Sequence, residues 1–272
     1  MQNLKDKVVI ITGGSSGIGY ALANEFGRLG AKIVISARNG AKLDSALAAL
    51  ISVGIDAIAI QADVSQESEC SNLVEKAIAH FHRIDILVNN AGISMRAAFK
   101  NTDLAVLRQL MNVNFWGTVY CTKYALPWLL ESRGSVVGII SIAGYVGLPG
   151  RTGYSASKYA IRGFLDTLRC ENLKTGLHVL VAAPGFTASN IRNAALTANG
   201  SPQGDTPRDE AKMMPADVAA RKIVHATLKR KDSLILTLVE GKFTVLLNRF
   251  FPKLVSRLAF YYMSKEPDSP FN

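Results

Sequence analysis

Short runs rich in Val and Ile alternate along the chain with longer stretches in which apolar residues recur three and four apart. The runs, such as Val8-Val9-Ile10-Ile11, read as buried strands, and the longer stretches read as amphipathic helices. Strands are predicted over Lys7–Ile11, Lys32–Ala37, Ile55–Gln61, Ile84–Asn89, Ser135–Ser141 and His178–Ala183. Helices are predicted over Gly17–Leu29, Ala41–Val53, Glu67–Phe81, Asp103–Leu130 and Gly153–Lys174, the fourth of them bent near Pro127. Strands that are apolar throughout belong to a parallel sheet covered on both faces. The alternation therefore predicts an α/β fold with a doubly wound parallel sheet. Such sheets bind ligands beyond the carboxyl ends of their strands.

Residues 189–214 break the alternation. They are rich in Asn, Ala, Gly, Pro and Asp, and a loop of that length predicts a substrate lid. Further on, Leu247, Phe250, Phe251, Leu254, Leu258 and Tyr262 return to helical spacing. Pro252 is placed to start a second helix there or to kink a single one. The expected organisation is one domain over residues 1–240, lid included. Residues 241–272 form an amphipathic, basic helical extension of that domain.

Composition narrows the class. The chain has 272 residues, 49% hydrophobic and 19% charged, with a net charge of +10. This is globular usage, not disorder. The charge is local: ten basic residues between Arg221 and Lys265 face only Asp232 and Glu240. No recognition motif or aromatic interleaving accompanies them, so nucleic acid is not an expected partner. Arg249, Lys253 and Arg257 line one face of the tail. That face leaves three placements open: packing within the protein or its oligomer, a membrane interface, or an anionic substrate. Cys70, Cys121 and Cys170 are too far apart for a disulfide framework, and with four histidines they show no metal spacing. The polar Met1–Lys7 segment lacks the apolar core of a signal peptide. No apolar run reaches the roughly 18 residues of a spanning helix. The expected location is cytoplasmic, or peripheral at a membrane through the tail.

Four local motifs suggest chemistry. In Thr12-Gly13-Gly14-Ser15-Ser16-Gly17-Ile18-Gly19, a glycine-rich turn follows a strand and opens a helix. Glycines let the backbone approach a pyrophosphate, and the helix N-terminus offers it free N–H groups. At the end of the second strand, Ser36-Ala37-Arg38-Asn39 lacks the carboxylate that holds the ribose of NAD. Arg38 offers a planar cation suited to a 2′-phosphate, with Ser15, Ser16 and Asn39 as further donors, which favours NADP(H). Asp63 is placed to accept from an adenine amino group, and Val64 to pack on the ring. Asn89-Asn90-Ala91-Gly92 brings small residues and turn-holding amides close to a cofactor.

The most specific constellation is Ser141, Tyr154 and Lys158. Tyr154 and Lys158 are four apart and share a helix face. Reducing a ketone requires a proton at the oxygen as hydride reaches the carbon. A tyrosine ordinarily titrates near pH 10. The Lys158 ammonium and an oxidised nicotinamide are expected to lower that value. Ser141 is placed to hold the carbonyl oxygen.

Together, Thr12–Gly19, Asn89–Gly92, Ser141 and Tyr154-Ser155-Ala156-Ser157-Lys158 resemble the short-chain dehydrogenase/reductase family, over roughly Lys5 to Asp217. The resemblance implies a Rossmann-like, seven-stranded parallel sheet with helices on both faces. It implies that Asn114 completes a catalytic tetrad through a proton relay to Lys158, and that Lys158 also binds the cofactor ribose. It implies that Pro184-Gly185-Phe186-Thr187 contacts the nicotinamide, with Thr187 where an aliphatic residue is common and Ser189 where a threonine is usual. The helices over Asp103–Leu130 and Gly153–Lys174 resemble the family's intersubunit bundle, which implies a homodimer or homotetramer. The C-terminal part is similar to the branch of 11-beta-hydroxysteroid dehydrogenases and type 7 dehydrogenase/reductases. That branch implies a lipophilic ketone or alcohol as substrate. The expected function is thus NADP(H)-dependent interconversion of a ketone and a secondary alcohol. The alternative is a catalytically silent NADP(H)-binding, sensing or scaffold protein with a membrane-associated tail.

Overall fold

The computed structural model describes residues 4–188, 191–204, 206 and 213–271. Seven parallel strands form one sheet in the order β3-β2-β1-β4-β5-β6-β7. They are β1 Val8–Thr12, β2 Lys32–Ala37, β3 Ala57–Gln61, β4 Ile86–Asn89, β5 Ser135–Ile139, β6 His178–Ala183 and β7 Ser233–Ile235. Because successive side chains leave a strand on opposite faces, each apolar run feeds two cores. Val8 and Ile10 point to the side of α3 (Glu67–Phe81), α5 (Gly117–Glu131) and α6 (Thr152–Glu171). Val9 and Ile11 point to the side of α1 (Gly17–Arg28), α2 (Gly40–Ser52) and α7 (Ala216–Leu228). This is why the strands read as unbroken apolar runs. Strand order reverses between β1 and β4, which leaves a crevice at that point.

The predicted single helix over Asp103–Leu130 is in fact three pieces. α4 spans Leu104–Leu110, a π-helical stretch covers Met111–Trp116, and α5 follows and runs on through Pro127. The irregularity lies around Asn114, not at Pro127. Ser135–Ser141 is shortened because Ser141 leaves the sheet to cap a 3-10 turn over Ile142–Gly144, its Oγ accepting from the Ala143 N–H. β7 has only three residues and carries no periodicity of its own. The tail forms two helices, α8 (Thr244–Phe250) and α9 (Pro252–Ser264), with Pro252 in the first turn of α9, where its missing N–H costs nothing. Of the segment predicted as a lid, residues 189, 190, 205 and 207–212 lie outside the described residues. Its described part pairs with the loop after β4: Arg96 N–H donates to Leu196 O at 2.8 Å, and Leu196 N–H to Ser94 O at 2.9 Å.

At the amino ends of the strands, Asp85 ties the start of β1 to the segment that leads into β4. Its carboxylate accepts from Lys7 Nζ at 3.0 Å, from the Val8 N–H at 2.9 Å and from Arg83 Nε at 2.8 Å. Burial raises its pKa, but the hydrogen bonds from Arg83, Val8 and Lys7 outweigh burial and hold it below the ordinary value. A depressed folded-state pKa means stability that is present above the unfolded value, about 3.9, and lost as pH falls through the folded one. Asp85→Asn should therefore cost about 2 kcal/mol at pH 7. In urea melts, this difference from the parent should shrink in acid. Equal stability of the two chains at pH 7 would show that the cluster holds nothing.

Candidate active site

Beyond the carboxyl ends of the strands lies a cavity of about 1200 Å³. Pockets for small ligands run to about 300–1,000 Å³, so this one is at the large end. The turn between β1 and α1 supplies one wall through Gly13, Ser15, Ser16, Gly17, Ile18 and Gly19. Gly13 has φ +65° and Gly17 φ +53°, values that glycine alone adopts at low cost. A Cβ on Gly13 would lie 2.9 Å from Ala91 Cα. The Asn90–Gly92 wall explains this closeness. Asn90 Nδ2 donates to Thr12 O at 2.9 Å and Gly13 O at 3.1 Å, and the N–H groups of Asn90 and Ala91 both donate to Thr12 Oγ1. The asparagine turn is thus held across to β1, not only by its own local bonds. Ser16 caps α1 in extended conformation without spending its side chain on the helix. Gly17, Ile18 and Gly19 of the first turn line the cavity, and among the described residues no acid lines it on this side.

Ser36, Arg38 and Asn39 line the cavity at the end of β2. Ser36 Oγ is buried without a hydrogen-bond partner, a hydroxyl suited to a polar ligand. Asn39 Oδ1 accepts from the Lys42 N–H at 2.9 Å and so caps α2. An adjoining recess is lined by Ser15, Ser16, Lys42 and Ser45. Lys42 is a second cation at this edge that spacing alone does not single out. Val64 lines the cavity, but Asp63 does not. Asp63 Oδ1 instead accepts from the Ser65 N–H at 2.9 Å and the Ser65 hydroxyl at 2.8 Å, which fixes the turn into α3.

The centre of the cavity is formed by Ser141, Tyr154, Lys158, Pro184, Gly185 and Thr187. Tyr154 and Lys158 lie one turn apart on α6, with Lys158 Nζ 5.8 Å from the Tyr154 ring centroid. Ser141 is near enough to the Tyr154 hydroxyl to lower its pKa. Burial raises the Tyr154 pKa above its ordinary value, against the lowering influence of Ser141, Arg151 and Arg192. Lys158 is not among the groups that lower it here. Lys158 Nζ donates to Ile139 O at 2.9 Å, and desolvation brings its own pKa down to about 8. Asn114 is fully buried and does not line the cavity. Its Oδ1 accepts from the Ile93 N–H at 2.8 Å, and its Nδ2 donates to Ile93 O at 3.0 Å and Ser157 Oγ at 2.9 Å. The π-helical stretch supplies this buried position. A Cβ on Gly92 would lie 3.1 Å from Asn114 Oδ1 and 3.4 Å from Lys158 Nζ. Asn114 and Lys158 thus both lie against Gly92.

The sequence model of the short chain dehydrogenases matches residues 7–200. The chain belongs to the short-chain dehydrogenase/reductase family. A dehydrogenase/reductase SDR family protein 7-like of Drosophila melanogaster is 33% identical over 267 residues, which is 96% of this chain and 81% of that one. The 11-beta-hydroxysteroid dehydrogenase A of Arachis hypogaea is 37% identical over 236 residues, 84% of this chain and 67% of its own. Dehydrogenase/reductase SDR family member 7B of Rattus norvegicus is 33% identical over 273 residues, 98% and 84% of the two chains. A short-chain dehydrogenase/reductase of Burkholderia phymatum, solved in complex with NAD, superposes with a TM-score of 0.84. It covers 93% of this chain and 96% of its own, at 22% identity, and so shows the shared fold. This short-chain dehydrogenase/reductase is thus an oxidoreductase by family, on a fold that binds a nicotinamide dinucleotide.

Several cavity residues of this short-chain dehydrogenase/reductase were not legible from spacing. Arg151 and Arg192 line the cavity and lower the Tyr154 pKa, and Phe243, Leu247, Val255, Leu258, Tyr262 and Met263 line it too. The tail periodicity showed helices there but not what they cover. Ser189 lies outside the described residues. No helix among the described residues is long and apolar enough to cross a membrane.

Proposed function

We propose that the chain is an NADP(H)-dependent oxidoreductase that interconverts a ketone and a secondary alcohol on a lipophilic substrate. One observation carries the reading: Ser141, Tyr154 and Lys158 converge on a cavity whose other walls are a glycine turn and an apolar helix pair. Bound NADPH would supply the hydride. Tyr154 exchanges the proton with the substrate oxygen, and Ser141 holds that oxygen by a hydrogen bond. Lys158 offers its ammonium to the cofactor ribose and to the phenolate. Asn114 is a positioning residue that fixes the Ile93 backbone and the Ser157 hydroxyl beside Lys158. Gly13, Ser15, Ser16, Gly17, Ile18 and Gly19 would cradle the pyrophosphate, and Asn90, Ala91, Gly92, Pro184, Gly185 and Thr187 the nicotinamide half. Val64 would flank the adenine, while Asp63 shapes the turn beneath it. Arg38, with Lys42 beside it, supports a 2′-phosphate. The side chains of α8 and α9 support a substrate with a large apolar part.

The tail supports a second, compatible reading: peripheral contact with a membrane. Phe250 on α8 is 65% exposed and Phe251, in the joint before α9, 58%, close to Arg249 of α8 and to Lys253 and Arg257 of α9. Exposed aromatics beside cations suit an anionic lipid interface.

The test is NADPH consumption against small ketones, steroid ketones, 3-ketoacyl thioesters and acyl-dihydroxyacetone phosphate, each with and without anionic vesicles. Turnover is expected with an apolar ketone, faster with vesicles. Tight NADPH binding without turnover of any carbonyl would replace this reading with a binding or scaffold protein. Indifference to vesicles would remove the membrane contact.

A further inference from the structure

α9 is a 13-residue helix with only two fully buried side chains, Val255 and Met263. That is a weak apolar attachment for an element that forms one wall of a cavity. The last residues of the chain, beyond α9, attach it differently. Glu266 is a buried carboxylate between two guanidinium groups: Oε2 lies 3.6 Å from Arg96 Nη2 and 3.6 Å from Arg151 Nη2, with all three side chains at most 12% exposed. Arg96 also donates to Pro267 O, and Arg151 Nη1 to Met263 Sδ at 3.8 Å. Next to them, Gly150 leaves space against which Pro270 and Phe271 pack, and Phe271 meets Phe260 of α9 at 5.3 Å between ring centroids.

The two arginines come from different parts of the site. Arg96 lies in the loop after β4 that pairs with Leu196. Arg151 caps α6 three residues before Tyr154 and lines the cavity. We propose that Glu266 is a positioning residue: it latches the C-terminal tail onto the start of the catalytic helix and the β4 loop, and so fixes α9 as the wall that reads the substrate's apolar part. Exposed apolar residues along α9 allow many sliding registers. A carboxylate that must sit between two guanidinium groups allows one, because moving it would break both buried ion pairs. The latch uses charge where apolar packing would not specify position.

The inference rests on the oxidoreductase reading only for its substrate arm. The test uses full-length Glu266→Gln and, as a second break in the same cluster, Arg96→Gln, with butanone and 2-undecanone as probes. Both variants should raise the KM for 2-undecanone by about tenfold, while kcat and KM for butanone stay within about twofold. By hydrogen exchange, amides of residues 252–264 should open about tenfold faster, while those of β5 keep their protection. Unchanged exchange in α9 in both variants would overturn the latch. Equal losses with both ketones, together with faster exchange across β5, would overturn it in favour of a general stability role. If the parent turns over neither ketone, the oxidoreductase reading fails on its own, and exchange in α9 still decides the latch.

Discussion

Tyr154→Phe should lower kcat for carbonyl reduction by about 10³-fold, within the range that a positioned general acid contributes. NADPH affinity, read by quenching of protein fluorescence, should stay within about twofold of the parent, since the substitution removes one oxygen and keeps the ring. The ring packs against the small apolar cluster of Met95, Ala97, Val106, Leu110 and Leu196, so the variant should melt where the parent does. The hydroxyl is the group that counts because it lines the cavity with Ser141, and burial raises a pKa that already lies well above neutral. That suits a donor in the direction of reduction. Lys158, brought down to about 8 by desolvation, loses its charge as pH rises through that value. Parent turnover should accordingly fall in the same range. Near-parental turnover in Tyr154→Phe would reject the assigned chemistry, whatever cofactor binds.

The features legible in the sequence are local ones. Gly13 to Gly19 is one turn, Tyr154 and Lys158 are four apart, and Arg38 ends a strand whose bounds, Lys32–Ala37, the structure reproduces. The same holds for α3 over Glu67–Phe81 and β6 over His178–Ala183. Pattern and structure part where tertiary contacts override spacing. Ile84 is as buried as any strand residue, yet β4 starts at Ile86, although the Asp85 backbone still bonds Val8 O on one side and the Ser135 N–H on the other. The π-helical stretch at Asn114 has the same apolar spacing as the helices around it, so no period marked it. Glu266 lies more than a hundred residues from either arginine. A buried carboxylate and an exposed one look alike in a tail rich in charge. Asp63 shows another limit: nothing in the sequence marked that its Oδ1 also fixes its own turn.

Cofactor choice should turn on Arg38. Its position at the end of β2, beside the buried Ser36 hydroxyl and the recess that holds Ser15, Ser16 and Lys42, gathers donors and cations where a dinucleotide presents its adenosine ribose. Among the described lining residues the one acid is Glu240, on the tail side and not at this edge. A 2′-phosphate would meet cations only, while the two hydroxyls of NADH would find no carboxylate to bond. Arg38→Asp reverses both conditions. Losing one charged partner of a phosphate costs about 3 kcal/mol, which corresponds to about 10²-fold weaker NADPH binding. The new carboxylate should strengthen NADH binding by about tenfold, as a charged hydrogen bond contributes. Arg38→Lys should fall between, keeping the charge but not the planar fork. Titration of each protein with both cofactors, followed by fluorescence, reads this without any substrate. Lys42 limits the swing, because it leaves one cation in place, so Arg38→Asp with Lys42→Ala should move the ratio further than either change alone. A parent that binds NADH as tightly as NADPH, or an Arg38→Asp ratio equal to the parent's, would move the discrimination away from β2 and onto the glycine turn itself.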